Sequence, residues 1–472
     1  MRKPLLCVCC MAGFLAVPAY AEDGQSSADA GNFLAQGPTG GIWQQSQLLG
    51  NAWGARSWLG QYGVTVNLQE VSEMLGNTSG GVKQTADYDG LTTLTMQLDT
   101  GKAFGWDGGT FNASGLDVHG TNLSANNLYT LQTASGIEAD NGLRLWELWY
   151  DQGFFDSTAD IKLGQQSLDQ EFITSQYAAL FVNTMFGWPM VPSADMLGGG
   201  PAYPLSSLGA RAKYQPDASP WAFLGGVFDD NPAGINPQSS ADPQKLDDRG
   251  TNFRLKDSPL FISEIQFSRP AIGDTEGAGE NILPGTYKLG FWYDAGRFAD
   301  QEYGTDGLPL ATGNGIPYLH RGNYSIYAVI DQTLWRESPG SEHSLSFFLR
   351  PMFAPDDQNL INFSTNAGFS LHAPFSSRLY DTAGIGMGYA SISPRAIAAD
   401  RDAIAAGTPM PIQNSETFIE ATYQYQVAPW WTLQPDAQYV FNPGGGVPNP
   451  NSPTGQRIKN ETVLGLRTTL TF

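Results

Sequence analysis

The last twelve residues, ETVLGLRTTLTF (Glu461–Phe472), decide how the chain is read. Written by parity, Thr462, Leu464, Leu466, Thr468, Leu470 and Phe472 share one face. Glu461, Val463, Gly465, Arg467, Thr469 and Thr471 share the other. Side chains of a strand alternate between its two faces, so this segment presents an apolar face ending in an aromatic and a small, polar face with one cation. Chain ends usually fray and are polar. A strand maintained to the final aromatic predicts a sheet that meets lipid on one side and water on the other, with Phe472 in an interfacial aromatic girdle and serving as an assembly signal.

Working back from that strand, the pattern repeats. Ile419, Ala421, Tyr423 and Tyr425 oppose Glu420, Thr422, Gln424 and Gln426. Leu433, Ala437, Tyr439 and Phe441 oppose Gln434, Asp436 and Gln438, with Pro435 as a blemish on the apolar side. Sixteen such runs recur from 62–75 to 459–472, including 143–153, 285–297 and 323–335. Short connections, such as 154–158 and 428–429, alternate with long ones, such as 120–142, 167–205, 230–258 and 298–322; 270–284 is longer than its class. An even count with segregated loop lengths predicts an all-β fold: a 16-stranded antiparallel transmembrane β-barrel with short periplasmic turns and long extracellular loops. No repeat of fixed period points to blades or solenoids.

The other end of the chain agrees. Residues 1–21 carry Arg2 and Lys3, an apolar run and Ala19-Tyr20-Ala21, which predicts a secretory signal cleaved after Ala21. Residues 22–60 are expected to form a periplasmic segment with a short helix around Leu48–Leu59, and 61–472 the barrel. All three cysteines (Cys7, Cys9, Cys10) fall in the signal, so disulfides, thiolate metal sites and cysteine nucleophiles are excluded from the mature 451 residues. Removing the signal leaves 23 basic and 46 acidic residues, a net charge of −23, which argues against nucleic acid as a partner. Four histidines without metal-ligand spacing, and glycine runs outside a phosphate-loop context, leave no expected cofactor or metal.

Burial physics assigns the charges. A cation on a lipid-facing strand near the midplane costs about 2–4 kcal/mol, whereas one facing water inside the barrel costs little. Lys162, Arg211, Lys213, Lys288, Arg350 and Arg467 are therefore expected to point inward, and on the last strands Glu420, Gln434 and Asp436 with them. Arg144 and Glu147 have opposite parity, so one of them should sit near a strand end; Glu147 is placed inward. Acidic, basic and amide groups in one bore can exchange hydrogen bonds with sugar hydroxyls, while Trp292 and Phe348 could stack on a pyranose. Loop 167–205 is too apolar for solvent, with Leu180, Phe181, Val182, Met185, Phe186 and Trp188 needing cover. It is expected to fold into the bore and narrow it, with Asp169 and Glu171 at its start; the alternative is packing on a neighbouring subunit.

Four stretches carry a family likeness: LLGNAWGARSWLGQYGVTVNLQEVSEMLGNTSGG (48–81), GQQSLDQEFITSQYAALFVNTMFGWP (164–189), FFLRPMFAPDDQNLINFSTNAGFSLHAPF (347–375) and ETFIEATYQYQVAPWWTLQPDAQYVFNPGG (416–445). Together with the terminal strand they resemble the OprB-type carbohydrate-selective porins. The resemblance implies a sixteen-stranded outer-membrane channel passing glucose and related sugars by passive diffusion. It also implies a constriction at which Glu147, Lys162, Asp169 and Glu171 take part, with lysine at 162 where family members often carry arginine. Expected partners are monosaccharides or small oligosaccharides, outer-membrane lipid and lipopolysaccharide, the barrel-assembly machinery and, optionally, two further copies in a homotrimer. The competing readings are a general diffusion porin without sugar preference, an exported β-rich carbohydrate-active enzyme, for which no motif selects a carboxylate pair, and an adhesin.

Overall fold

The computed structural model describes residues 41–217, 219–236, 241–269, 282–339 and 341–472. The expected signal peptide lies outside the described residues. β1 (Val64–Ser79), β2 (Ala86–Asp99), β3 (Gly109–Gly120) and β4 (Gly142–Phe154) open the sheet. They are followed by β5 (Ala159–Gln166), β6 (Ser207–Tyr214), β7 (Trp221–Asp229) and β8 (Pro259–Arg269). β9 (Gly285–Gly304), β10 (Pro317–Arg336), β11 (Ser344–Phe353) and β12 (Ile361–His372) come next. β13 (Thr382–Ile392), β14 (Ser415–Ala428), β15 (Trp431–Phe441) and β16 (Glu461–Thr471) complete it. Each strand pairs antiparallel with its sequence neighbours, and β16 pairs with β1 to close the barrel. Closure removes every free edge, which is what lets a sheet stand in hydrocarbon.

Alternation holds around the wall. In β9, Tyr287, Leu289, Phe291 and Tyr293 are exposed outward while Gly290, Trp292 and Asp294 are buried inside. β9 and β10 run seven and six residues further into the extracellular side than sequence alternation indicates. The added stretch carries Asp300, Glu302, His320 and Arg321. Above the membrane the outward face no longer meets lipid, so the two-residue hydrophobic signal vanishes although the ladder continues, with Phe298, Asp300 and Glu302 buried on the inner face and His320 Nε2 at 2.8 Å from Asp300 Oδ2.

The described residues before β1 secure the seam. After two short turns of helix, Ala55–Gln61 forms the helix before β1. Its Arg56 donates from Nη1 to Val66 O at 2.6 Å and from Nη2 to the terminal Phe472. Leu48 N–H donates to Thr471 O at 2.8 Å, and Trp43 stacks on Trp430 with centroids 5.8 Å apart. Phe472 is half-buried, with its N–H on Leu68 O at 2.9 Å. The final strand is thus held from both neighbours and from the helix.

β4 contains the irregularity that matters most. Ser114 pairs with Glu147 and Gly115 with Leu145, so Trp146 is an extra residue in a β-bulge. The bulge resets parity. Arg144 and Glu147 both face inward, correcting the expectation that one of them sits near a strand end. The freed Leu145 N–H donates to Arg249 O at 2.9 Å, a carbonyl of the loop between β7 and β8.

Candidate pore constriction

Loop 167–206 folds into the barrel. Phe172, Ile173, Phe181, Met185, Phe186, Trp188, Met190 and Val191 are all buried, in one cluster with inward residues of the wall such as Ile262, Trp292, Val329, Phe348, Met352 and Phe418. Phe186 packs edge-on to Phe348 and Phe418, with centroids 5.6 and 5.4 Å away. The sequence TAGIGMGY (382–389) makes room for it, placing glycine at three successive inward positions of β13. A Cβ at Gly384 would lie 2.6 Å from Leu180 Cδ2, and one at Gly386 would lie 2.7 Å from Phe186 Cζ. These glycines serve close approach, since an added methyl would occupy space the loop already fills.

A buried loop must satisfy its backbone polar groups. Here side chains of the wall do so. Arg350 donates from Nη1 to Ile173 O and Gly187 O, both at 3.1 Å, and from Nη2 to Met185 O and Phe186 O at 2.8 and 2.6 Å. Glu420 accepts from Val182 N–H and Asn183 N–H at 2.6 and 3.0 Å. Gln434 Nε2 reaches Leu180 O at 2.7 Å, and Lys288 Nζ reaches Thr174 O at 2.8 Å. Glu264 and Asp331, which sequence reasoning passed over, accept from Ile173 N–H at 2.6 Å and Gln176 N–H at 2.9 Å. Arg467 is ion-paired to Glu73 and leans on Val182 O at 3.4 Å.

This arrangement corrects several expectations. Arg350, Arg467, Glu420, Gln434 and Asp436 point inward, yet each is at most 5% exposed, covered by the loop instead of facing solute. Trp292 and Phe348 are fully buried, so neither ring face is free to stack on a sugar. Among the pore residues expected on this wall, Lys288 is half-buried and keeps part of its surface open.

Loop 121–141 also enters the bore and packs on loop 167–206. Thr184 N–H donates to Thr133 O at 3.1 Å and Gly136 N–H to Val182 O at 2.8 Å. Its Glu138 is fully buried and accepts from Ser124 N–H at 3.0 Å. Burial pushes the Glu138 carboxyl well up, with the charges of Asp89 and Glu73 adding to it and the Ser124 donors opposing it.

The opposite wall stays wet. On β5 and β6, Lys162 pairs with Glu171 of the loop, and Arg211 Nε lies 2.6 Å from Glu171 Oε2. Arg211 also pairs with Asp160, and its Nη2 is 3.4 Å from Asp151 Oδ2. Lys213 is half-buried beside them. The carboxylates Glu171, Asp151 and Asp160 keep 20–24% of their side-chain surface. Trp149 lies half-exposed on the inward face of β4, with Lys162 Nζ 4.2 Å from its ring centroid. Glu147 orients that indole, accepting from Trp149 Nε1 at 3.3 Å, and fixes the loop's start through Ser167 N–H at 3.0 Å. Asp169 takes Ser167 Oγ at 2.6 Å and Tyr203 N–H at 3.2 Å; it is a brace for the loop, 8% exposed. Of the residues expected at the constriction, Lys162, Glu171, Arg211 and Lys213 come together. Trp149, Asp151 and Asp160 join them unannounced, although counting parity from the periplasmic end of β4 marks Trp149 and Asp151 as inward.

A closed sixteen-stranded barrel narrowed by an inward loop is a porin architecture, and sequence comparison says which kind. The profile of the carbohydrate-selective porin, OprB family, matches residues 83–472. The chain belongs to that family. Porin B of Pseudomonas aeruginosa is 25% identical over 420 residues, covering 84% of this chain and 87% of that protein. The putative porin QuiX of Acinetobacter baylyi is 25% identical over 426 residues, covering 86% and 90%. Among solved structures, the high-pH structure of Pseudomonas putida OprB superposes with a TM-score of 0.79 at 22% identity, over 92% of this chain and all of that one. This OprB-family member is accordingly a sugar-selective porin of the outer membrane, and its barrel is the membrane-spanning part.

Proposed function

We propose that selection occurs where Lys162, Arg211 and Lys213 face Glu171, Asp151 and Asp160 beside Trp149, and that the cargo is glucose or a related neutral sugar, as monosaccharide or short oligosaccharide. The observation that carries this reading is the half-open indole beside a charge network with three cations and three carboxylates. Balanced charge gives a neutral solute donors and acceptors without a field of one sign that would favour an ion. The indole supplies an apolar surface for one face of a pyranose. Each contact is weak and shared, which passage requires, because a channel that grips its solute does not conduct. Diffusion is passive, and the protein acts as a channel instead of an enzyme.

Single-channel recording in planar bilayers tests the reading. Glucose or a maltodextrin should block the current, and Trp149→Ala should weaken that block several-fold, given stacking of about 0.5–1.5 kcal/mol. Block unchanged in both Trp149→Ala and Lys162→Ala would move the selecting site elsewhere and favour a general diffusion pore. Phe472, held against β1 and the helix Ala55–Gln61, is proposed as the signal read by the barrel-assembly machinery. Its deletion should lower the yield of heat-modifiable barrel in the membrane more than it alters conductance of the barrels that assemble. Lipid and lipopolysaccharide would surround the apolar belt.

A further inference from the structure

The inner face of β1–β3 changes character partway along the barrel. Towards the extracellular side it holds Val71, Leu91, Leu116 and Val118, buried in one cluster with Ile137 and Ala139 of loop 121–141. Past that cover, towards the periplasm, the cross-strand rows turn polar. Asn67 pairs with Thr95 and Thr95 with Ser114; Thr65 pairs with Gln97 and Gln97 with Asn112. The second row continues onto β4, where the Cα partner of Asn112 is Trp149. The inward positions of 65–69, 93–97 and 112–114 hold only hydroxyls and amides, without a charge.

These groups are open to the bore. Thr65 and Gln97 are exposed, and Asn67, Thr95 and Trp149 are half-buried. Asn112 is buried behind them and accepts from Gln97 Nε2 at 3.3 Å, which orients the Gln97 amide within its row. Neighbouring strands lie about 4.8 Å apart and same-face residues of one strand about 6.8 Å, so the rows form a grid reaching about 14 Å from Trp149 to Thr65. Amides and hydroxyls each donate and accept. Such a grid matches the closely spaced hydroxyls of a sugar and gives an ion no counter-charge. The strip on β5 and β6 differs in this respect, since it offers both signs.

We propose that the inward face of β1 and β2 is a second sugar subsite, on which a neutral oligosaccharide seated at Trp149 extends its further rings over Gln97, Thr95 and Asn67. The proposal rests on the reading that Trp149 marks the selecting site, and adds the direction in which a longer chain lies. A monosaccharide steps from the indole to the grid and occupies one place at a time. A trisaccharide spans both. Each contact on the grid is exchanged readily for water, so the second subsite prolongs the stay of a longer sugar without arresting its passage.

Block of planar-bilayer current by glucose and by maltotriose, measured on the same channels, separates the two sites. The ratio of maltotriose to glucose affinity should fall at least fivefold in Gln97→Leu with Asn67→Leu, whereas Trp149→Ala should weaken block by both sugars. Gln97→Glu puts a charge into the row and should turn the reversal potential in a salt gradient towards cation preference. A double variant that keeps the wild-type ratio, or a Gln97→Glu channel with unchanged reversal potential, would overturn the subsite even where Trp149→Ala behaves as expected. Glucose block unaffected by Trp149→Ala would instead sink the constriction reading. Heat-modifiable migration checks assembly of each variant, and Gln97→Ala alone reports the same ratio where the double variant does not assemble.

Discussion

Arg350 and Arg211 stand on strands of the same barrel with the same inward direction, and they do different work. Arg350 is fully buried and donates to four carbonyls of loop 167–206. Arg211 meets only carboxylates, and those carboxylates remain partly in water. The difference lies in the neighbourhood. β11–β14 present Phe348, Gly384, Gly386 and Phe418 inward, an apolar shelf with notches for rings, and the loop settles there. β4–β6 present Asp151, Asp160, Lys162 and Lys213, which no apolar loop will cover without a large desolvation cost. One wall became a seat and the other a water-facing strip, and the channel runs past the second.

Substitutions can break that contrast. The largest effect is expected from Arg350→Ala. Leaving four buried carbonyls unpaired costs about 1–3 kcal/mol each at the upper limit, enough to release the loop. The variant should show larger single-channel conductance and new protease cleavage within 167–206; a channel of unchanged size would mean that the apolar contacts alone hold the loop. Gly386→Val should act in the same direction more mildly, by about 1–3 kcal/mol of overpacking against Phe186, read as conductance fluctuating between two levels. Arg211→Ala belongs to the other wall. It should shift the reversal potential towards cation preference and lower thermal stability while the loop stays seated, because Arg211 is itself buried and its removal leaves Glu171 and Asp160 without their partner. An Arg211→Ala barrel that loses its loop would erase the distinction between the two walls.

The two outer faces make a parallel contrast. The outward face of β9 carries Tyr287, Leu289 and Phe291, whereas that of β1–β3 carries Glu70, Asp117 and His119. Strand alternation was legible for both, since the two-residue period survives whichever solvent the polar face meets. What each face touches was not legible. Glu70 and Met74 share the outward parity of β1, and parity does not say whether lipid or protein lies beyond.

The sequence by itself determined the strand count, the closure, the segregation of short and long connections and the inward direction of Lys162, Arg211, Lys288 and Arg350. These follow from local rules, because neighbouring side chains of a strand must meet different surroundings. It also marked loop 167–205 as needing cover. Tertiary structure decided the rest. The bulge at Trp146 turned Arg144 and Glu147 to the same side, because one extra residue shifts parity without leaving a trace in composition. The seating of the loop decided which inward charges meet water and which are spent on its carbonyls. That outcome depends on contacts between residues more than 150 positions apart, such as Arg350 with Phe186, which no local periodicity encodes.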